Sequence, residues 1–232
     1  MTREDIKGEI GYMRDEAAAL LETYLARPLL RGVSHAFGAL LAVAALIVLV
    51  VHAGAPKQVV GAAVFGAGVL AMLTTSALYH RVRWRPSAHR LLKKLDHSMI
   101  FVLIASTYTP FILVGFDGAA RATALSLIWG LTVAGVTLRL SVRELPRWLQ
   151  VSLYLGLGWG ALTLIPALEG QPTSVYVLAA IGGLLYTFGG LVYLFQRPNP
   201  FPRVFGFHEV FHICVVAAVG CHFAAIYPLV SA

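Results

Sequence analysis

Residues 207–229 read FHEVFHICVVAAVGCHFAAIYPL, and two features of this stretch set the reading of the whole chain. A hydrocarbon core about 30 Å thick is crossed by about 20 mainly apolar residues in helical conformation, and this run has that length. It nevertheless opens with two histidines and a glutamate, groups that are costly at membrane depth and so call for a reason. Six further apolar blocks precede it, near 32–52, 57–81, 95–116, 121–138, 149–168 and 173–195. None shows the ten-residue alternation of a barrel strand, so all seven are read as transmembrane helices.

The composition agrees. Of 232 residues, 58% are hydrophobic and 12% charged, about half the roughly 25% charged share of a soluble domain. That excludes a water-soluble globule, a disordered chain and a disulfide-stapled scaffold. The formal charge of +7 would raise nucleic-acid binding in a soluble protein. Here the basic residues lie between apolar blocks, so topology explains them and no nucleic-acid partner is expected.

Counting Lys and Arg in alternate segments gives sixteen on one side of the membrane and two on the other. The positive-inside tendency then predicts a cytoplasmic N-terminus, and seven spans put the C-terminus outside. Residues 1–31 carry five basic and six acidic side chains, with Ile6, Ile10, Met13, Ala17, Leu20 and Tyr24 at helical spacing. This segment is expected to form an amphipathic helix on the cytoplasmic face, with residues 32–232 as the membrane domain. Cys214 and Cys221 are seven residues apart on one span, too distant along the axis to bridge to each other.

Polar residues inside the spans gather at one depth. The second span ends in Ser76-Ala77-Leu78-Tyr79-His80, the third opens with Asp96-His97, and the seventh opens with His208-Glu209-Val210-Phe211-His212. His208 and His212, at i and i+4, project from one helical face and can grip one ion. His80 supplies a third nitrogen and leaves one coordination position open, as in a catalytic zinc site. Asp96 is positioned to act as general base on a water, and Ser76 to orient that water or the polar part of a substrate. A helix-start carboxylate is the plainer alternative for Asp96, and back-bonding to its own helix for Ser76.

The run from His208 to His212 also matches H-E-x-x-H, the zincin pattern in which glutamate is the base. An intramembrane metalloprotease is therefore a further reading, although Glu209 is equally explained as an acid in the first turn of a helix. His35 is at the right depth for a supporting or alternative ligand. His97 points about 100° from Asp96 and so toward a neighbouring helix. His222 is roughly 15 Å beyond His212 along the helix and cannot share its ion.

Taken together, Ser76 to His80, the stretch Asp96-His97-Ser98-Met99-Ile100-Phe101 with Thr107-Tyr108-Thr109-Pro110-Phe111, and Phe207 to His212 resemble the hemolysin III family. That family belongs with the progestin and adipoQ receptors and is more distantly similar to alkaline ceramidases. The resemblance covers all seven spans in order. It implies a seven-helix bundle, a zinc ion near the inner leaflet on His80, His208 and His212, and Asp96 and Ser76 beside it. Relatives among the ceramidases and adiponectin receptors are linked to hydrolysis of ceramide-like amides, whereas bacterial-type members take their name from cell lysis. His97 and Glu209 are common in the hemolysin III branch.

The expectation is thus a multi-pass protein of the bacterial inner membrane with zinc as cofactor, hydrolysing a lipid amide or ester bond, its partner a membrane lipid with acyl chains. The rival is a receptor-like or cytolytic membrane factor in which zinc is structural. A transporter would call for broken helices at paired positions, which the sequence lacks.

Overall fold

The computed structural model describes residues 27–142 and 144–231, together with positions 5, 6, 8–11, 14, 15 and 18. Met13, Ala17, Leu20 and Tyr24 of the expected amphipathic segment lie outside the described residues; Ile6 and Ile10 are helical and exposed.

Among the described residues, seven helices are long and apolar enough to cross a membrane. They are α1 (Val33–His52), α2 (Pro56–Arg81), α3 (Pro86–Gly115), α4 (Gly118–Ser141), α5 (Arg147–Trp159, continued as a 3-10 segment Gly160–Leu168), α6 (Thr173–Phe195) and α7 (Phe207–Ser231). Apart from an isolated bridge between Phe201 and Phe205, no β-pairing occurs among the described residues. The chain is an all-α, multi-pass membrane bundle.

α3 is the hub, with 67% of its apolar window buried against 17–22% for α1, α4, α5 and α6. It packs on α2, α4, α5 with its 3-10 extension, and α7; α1 lies across α2 and α7, and α6 fills the space between α5 and α7. Phe37, Leu40, Leu127, Leu131, Leu184 and Phe188 point outward, as side chains facing lipid should.

Two of the boundary differences bear on the site. α3 starts at Pro86 instead of residue 95, because the basic run from His89 to Lys94 is not apolar but is helix-compatible, and Pro86 at the first turn needs no N–H partner. α4 runs to Ser141 instead of 138, which puts Arg139 within a helix, only 4% exposed. One of the cations assigned to a loop is therefore a buried side chain.

Close packing relies on missing side chains. In hydrocarbon, helices associate through small residues that let backbones approach. On α2, a Cβ at Gly68 would stand 2.4 Å from Ser106 Cβ, and one at Gly61 would stand 3.0 Å from Pro110 Cα. α6 meets α7 the same way, with a Cβ at Gly189 falling 2.9 Å from Cys214 Cβ. Where α5 tightens into 3-10 geometry, the Tyr108 hydroxyl of α3 lies 2.6 Å from Leu157 O and 3.0 Å from Gly158 O, satisfying carbonyls that the change of helix type releases. Gln58, whose side chain accepts from Ala55 N–H at the start of α2, also donates to Leu229 O at 3.1 Å, tying that end to α7.

Gly68→Val is expected to cost about 1–3 kcal/mol through overpacking against Ser106, read as a lower thermal midpoint in detergent. Gly130→Ala, whose new Cβ meets nothing within 4 Å, should leave the midpoint unchanged or raise it. Equal midpoints for the two variants would show that α2 and α3 are not in this contact.

Candidate metal centre and lipid cavity

The site is assembled at the end of the bundle that carries most of the cations, hereafter the basic end. The segment before α1 pairs with the loop before α7 through Leu29 N–H to Arg203 O and Leu30 N–H to Val204 O, both 3.1 Å. Gly32 then turns with φ +76°, and a Cβ there would lie 2.6 Å from His80 Cβ. Only glycine meets both demands, since positive φ is strained for other residues and the space is already taken. This turn delivers Arg31 to Glu209, with which it forms an ion pair by Nε to Oε1. The other Glu209 oxygen accepts the Gly206 N–H at 2.7 Å, capping the start of α7. Both carboxylate oxygens are thereby engaged away from the histidines.

With α1, α2 and α7 fixed in this way, three imidazoles converge. His80 closes α2, and His208 and His212 stand one turn apart on α7. Their ligand nitrogens all lie within 4.8 Å of one another. His80 Nε2 and His208 Nε2 are 3.3 Å apart, and ring centroids are 4.9 Å (His80–His208), 5.0 Å (His80–His212) and 4.5 Å (His208–His212). His35 of α1 stacks flat on His212, with centroids 3.7 Å apart and planes 10° apart. Asp96 Oδ2 is 3.9 Å from His80 Nε2, and Ser76 lines the same apolar cavity as Asp96.

The donor set fits a divalent transition metal. Buried polar atoms normally find partners, yet His212 Nδ1, on the ring packed against His80 and His208, has no hydrogen bond among the described residues. Two nitrogens bound to one tetrahedral zinc at about 2.0–2.1 Å are about 3.3 Å apart, which is the His80–His208 spacing. The three histidines could therefore hold such an ion, with Asp96 beside the group and outside it.

The remaining histidines are distributed elsewhere. His97 turns to α4, where Arg139 Nη2 is 3.0 Å from its Nδ1, while its backbone carbonyl accepts from the Tyr154 hydroxyl at 2.7 Å. His222 faces Tyr186 far along α7, and His52 Nδ1 is 2.8 Å from Val48 O. His89 lies beside Tyr79, with rings 5.0 Å apart. Cys214 and Cys221 are free thiols. Sequence reasoning missed Arg139, Tyr154 and Tyr193. A signal for Arg139 was present, since it lies between Leu138 and Leu140 in an unbroken helical pattern.

Two cavities meet at the cluster. A largely apolar one of about 400 Å³ runs from Ser76, Asp96 and His212 past Ile104 and Leu155 to Tyr186. A smaller one of about 310 Å³ opens toward the basic end between Arg27, Lys93, Arg147 and Tyr193. Asp96, His97, Tyr193 and His208 line both.

Comparison with known proteins gives a consistent picture. The profile of the haemolysin-III related family matches residues 23–223. Hemolysin-3 of Bacillus cereus is 30% identical over 207 residues, covering 87% of this chain and 90% of the relative. The hemolysin-3 homolog of Bacillus subtilis is 29% identical over 82% of this chain and 88% of its own length. Human monocyte to macrophage differentiation factor is 23% identical over 71% of this chain and 68% of its own.

The Arg31–Glu209 pair is nearly buried, at 18% and 3% side-chain exposure. Glu209→Gln leaves the Arg31 charge without its partner and is expected to cost about 3 kcal/mol, measured by thermal unfolding in detergent. Adding Arg31→Gln should recover part of that loss. A double variant as unstable as the sum of the two singles would show that the residues are not coupled.

Proposed function

The chain belongs to the hemolysin III family of multi-pass membrane proteins, and from that premise we propose that it is a zinc-dependent hydrolase of a lipid amide or ester bond. The observation that carries this reading is the meeting of an apolar cavity and a polar vestibule at three buried histidines. A lipid whose chain occupies the first and whose head occupies the second presents its linking carbonyl at the cluster. We also place the basic end on the cytoplasmic side of a bacterial inner membrane, on the strength of the uneven Lys and Arg distribution.

His80, His208 and His212 hold the zinc ion. When bound, zinc supplies Lewis acidity toward the substrate carbonyl and makes water near it a stronger acid. The other steps belong to the chain. Walls from α3, α5 and α6 bind the acyl chain and exclude bulk water from its length. Asp96 takes a proton from the attacking water at Oδ2 and returns it to the leaving nitrogen or oxygen as the carbonyl–heteroatom bond breaks. The products are a fatty acid and an amine or alcohol. Ser76, which lines the cavity with Asp96, orients the carboxylate or the attacking water for this exchange. His35 keeps the His212 ring in place by stacking. The zincin alternative loses its base, because both Glu209 oxygens are engaged by Arg31 and Gly206.

Protein purified in detergent without chelator is expected to carry about one zinc per chain. His208→Ala and His212→Ala should lose most of it; metal-free native protein, or full metal in both variants, would overturn the assignment. With zinc content matched, Asp96→Asn should slow hydrolysis of acyl-amide and acyl-ester lipids by about 10²–10⁴-fold. Unchanged turnover would remove Asp96 from the role of base.

A further inference from the structure

The vestibule has a chemistry of its own that hydrolysis does not require. Four cations line it: Arg27 and Arg31 before α1, Lys93 on α3 and Arg147 at the start of α5. Arg31 is neutralised by Glu209, and Arg27 donates to His80 O at 3.2 Å while lying over the Tyr79 ring. Lys93 has no carboxylate partner among the described residues, and Arg147 packs its guanidinium over the Tyr193 ring, 5.6 Å from the centroid, while its Nη1 and Nη2 each donate one proton to the Gln196 side-chain oxygen at 3.2 and 3.1 Å and keep the other. Among the described residues Asp96 is the one carboxylate in the wall, and it lies at the histidine end of the space.

The neutral groups in the wall are also donors. A guanidinium has no acceptor, so Arg139 must donate to His97 Nδ1, which leaves the His97 ring proton on Nε2. That nitrogen is 3.4 Å from the Tyr193 hydroxyl. The tyrosine oxygen is therefore the acceptor of this contact, and its own proton is left to donate elsewhere. Away from Asp96, the space presents Lys93, Arg147 and the Tyr193 hydroxyl, all of them donors.

We propose that the vestibule is a head-group site for a lipid bearing a phosphate, with the acyl chain of the same molecule in the apolar cavity. A phosphate oxyanion matches this wall because it accepts from ammonium, guanidinium and phenol together, and bonds to charged donors are the strong ones. A choline-like or other cationic head would meet Lys93 and Arg147 with like charge. This assignment rests on the reading of the apolar cavity as the acyl-chain site, but not on the metal or on catalysis.

The test is equilibrium binding to the full chain in nonionic detergent, with zinc content measured on each preparation, using hexadecyl phosphate, hexadecanol, hexadecyltrimethylammonium and inorganic phosphate. None has a hydrolysable amide or carboxylic ester, so a failure of the hydrolase reading leaves the comparison intact. Hexadecyl phosphate is expected to bind about tenfold or more tightly than hexadecanol, and the ammonium amphiphile more weakly than either. Lys93→Gln and Arg147→Gln should each weaken the phosphate about five- to tenfold while leaving hexadecanol unchanged. Arg147→Lys, which keeps the charge but not the fork, should fall between. Equal affinity for the alcohol and the phosphate overturns the proposal, as does equal loss of both ligands in the variants. Inorganic phosphate binding as tightly as the alkyl phosphate would also overturn it, in favour of a site for a free anion.

Discussion

Everything at the basic end of the bundle depends on one ion pair. A carboxylate in the first turn of a membrane helix cannot remain alone, since withdrawing it from water costs several kcal/mol unless a partner charge and hydrogen bonds offset it. Glu209 meets that demand with Arg31 and the Gly206 N–H. To deliver Arg31, the chain before α1 must run along the loop before α7, which it does through the Leu29–Arg203 and Leu30–Val204 hydrogen bonds. Gly32 must then turn through a positive φ against His80. The first and last helices are thereby locked in register, and that register stacks His35 on His212 and turns His208 toward His80. Local polar satisfaction at a helix start thus determines the geometry of a site made from three helices.

The cluster is also placed where two solvents meet. Toward the bundle interior the walls are apolar and suited to hydrocarbon; toward the basic end they are cationic and suited to water and head groups. A lipid bond that links chain to head crosses that boundary by its own constitution. On the proposed reading, polarity alone would orient such a substrate, with its chain in the apolar cavity and its head in the vestibule.

Much of this was legible in the sequence because hydrocarbon makes exceptions conspicuous. Seven apolar runs of spanning length stand out on composition, and His80, His208 and His212 stand out because neutral imidazoles are rare in such runs. What escaped was whatever the apolar pattern does not encode. The start of α3 was set nine residues late, since Arg90, Lys93 and Lys94 look like a loop although Pro86 begins a helix there. Arg139 was counted with the loop cations for the same reason, yet it reaches back to His97. The cavity was invisible, because it depends on how α5 narrows into 3-10 geometry after its glycines and on the Tyr108 hydroxyl that accommodates this change. Nor can spacing along one helix reveal that His35 and His212, far apart in the chain, lie face to face.

The bundle is unequal in a way that suits its two tasks. α2, α3 and α7 have 50%, 67% and 39% of their apolar windows buried, and the α2–α3 contact closes through glycines with no slack. These helices carry His80, His208 and His212, whose separations would have to hold closely to grip an ion, and Asp96 beside them. α5 and α6 have only 17% and 22% buried, and they form the far wall of the apolar cavity. On the proposed reading, α2, α3 and α7 set the separations of the ligand nitrogens while α5 and α6 line the path of the chain, so metal affinity and chain selectivity are expected to respond to different parts of the sequence.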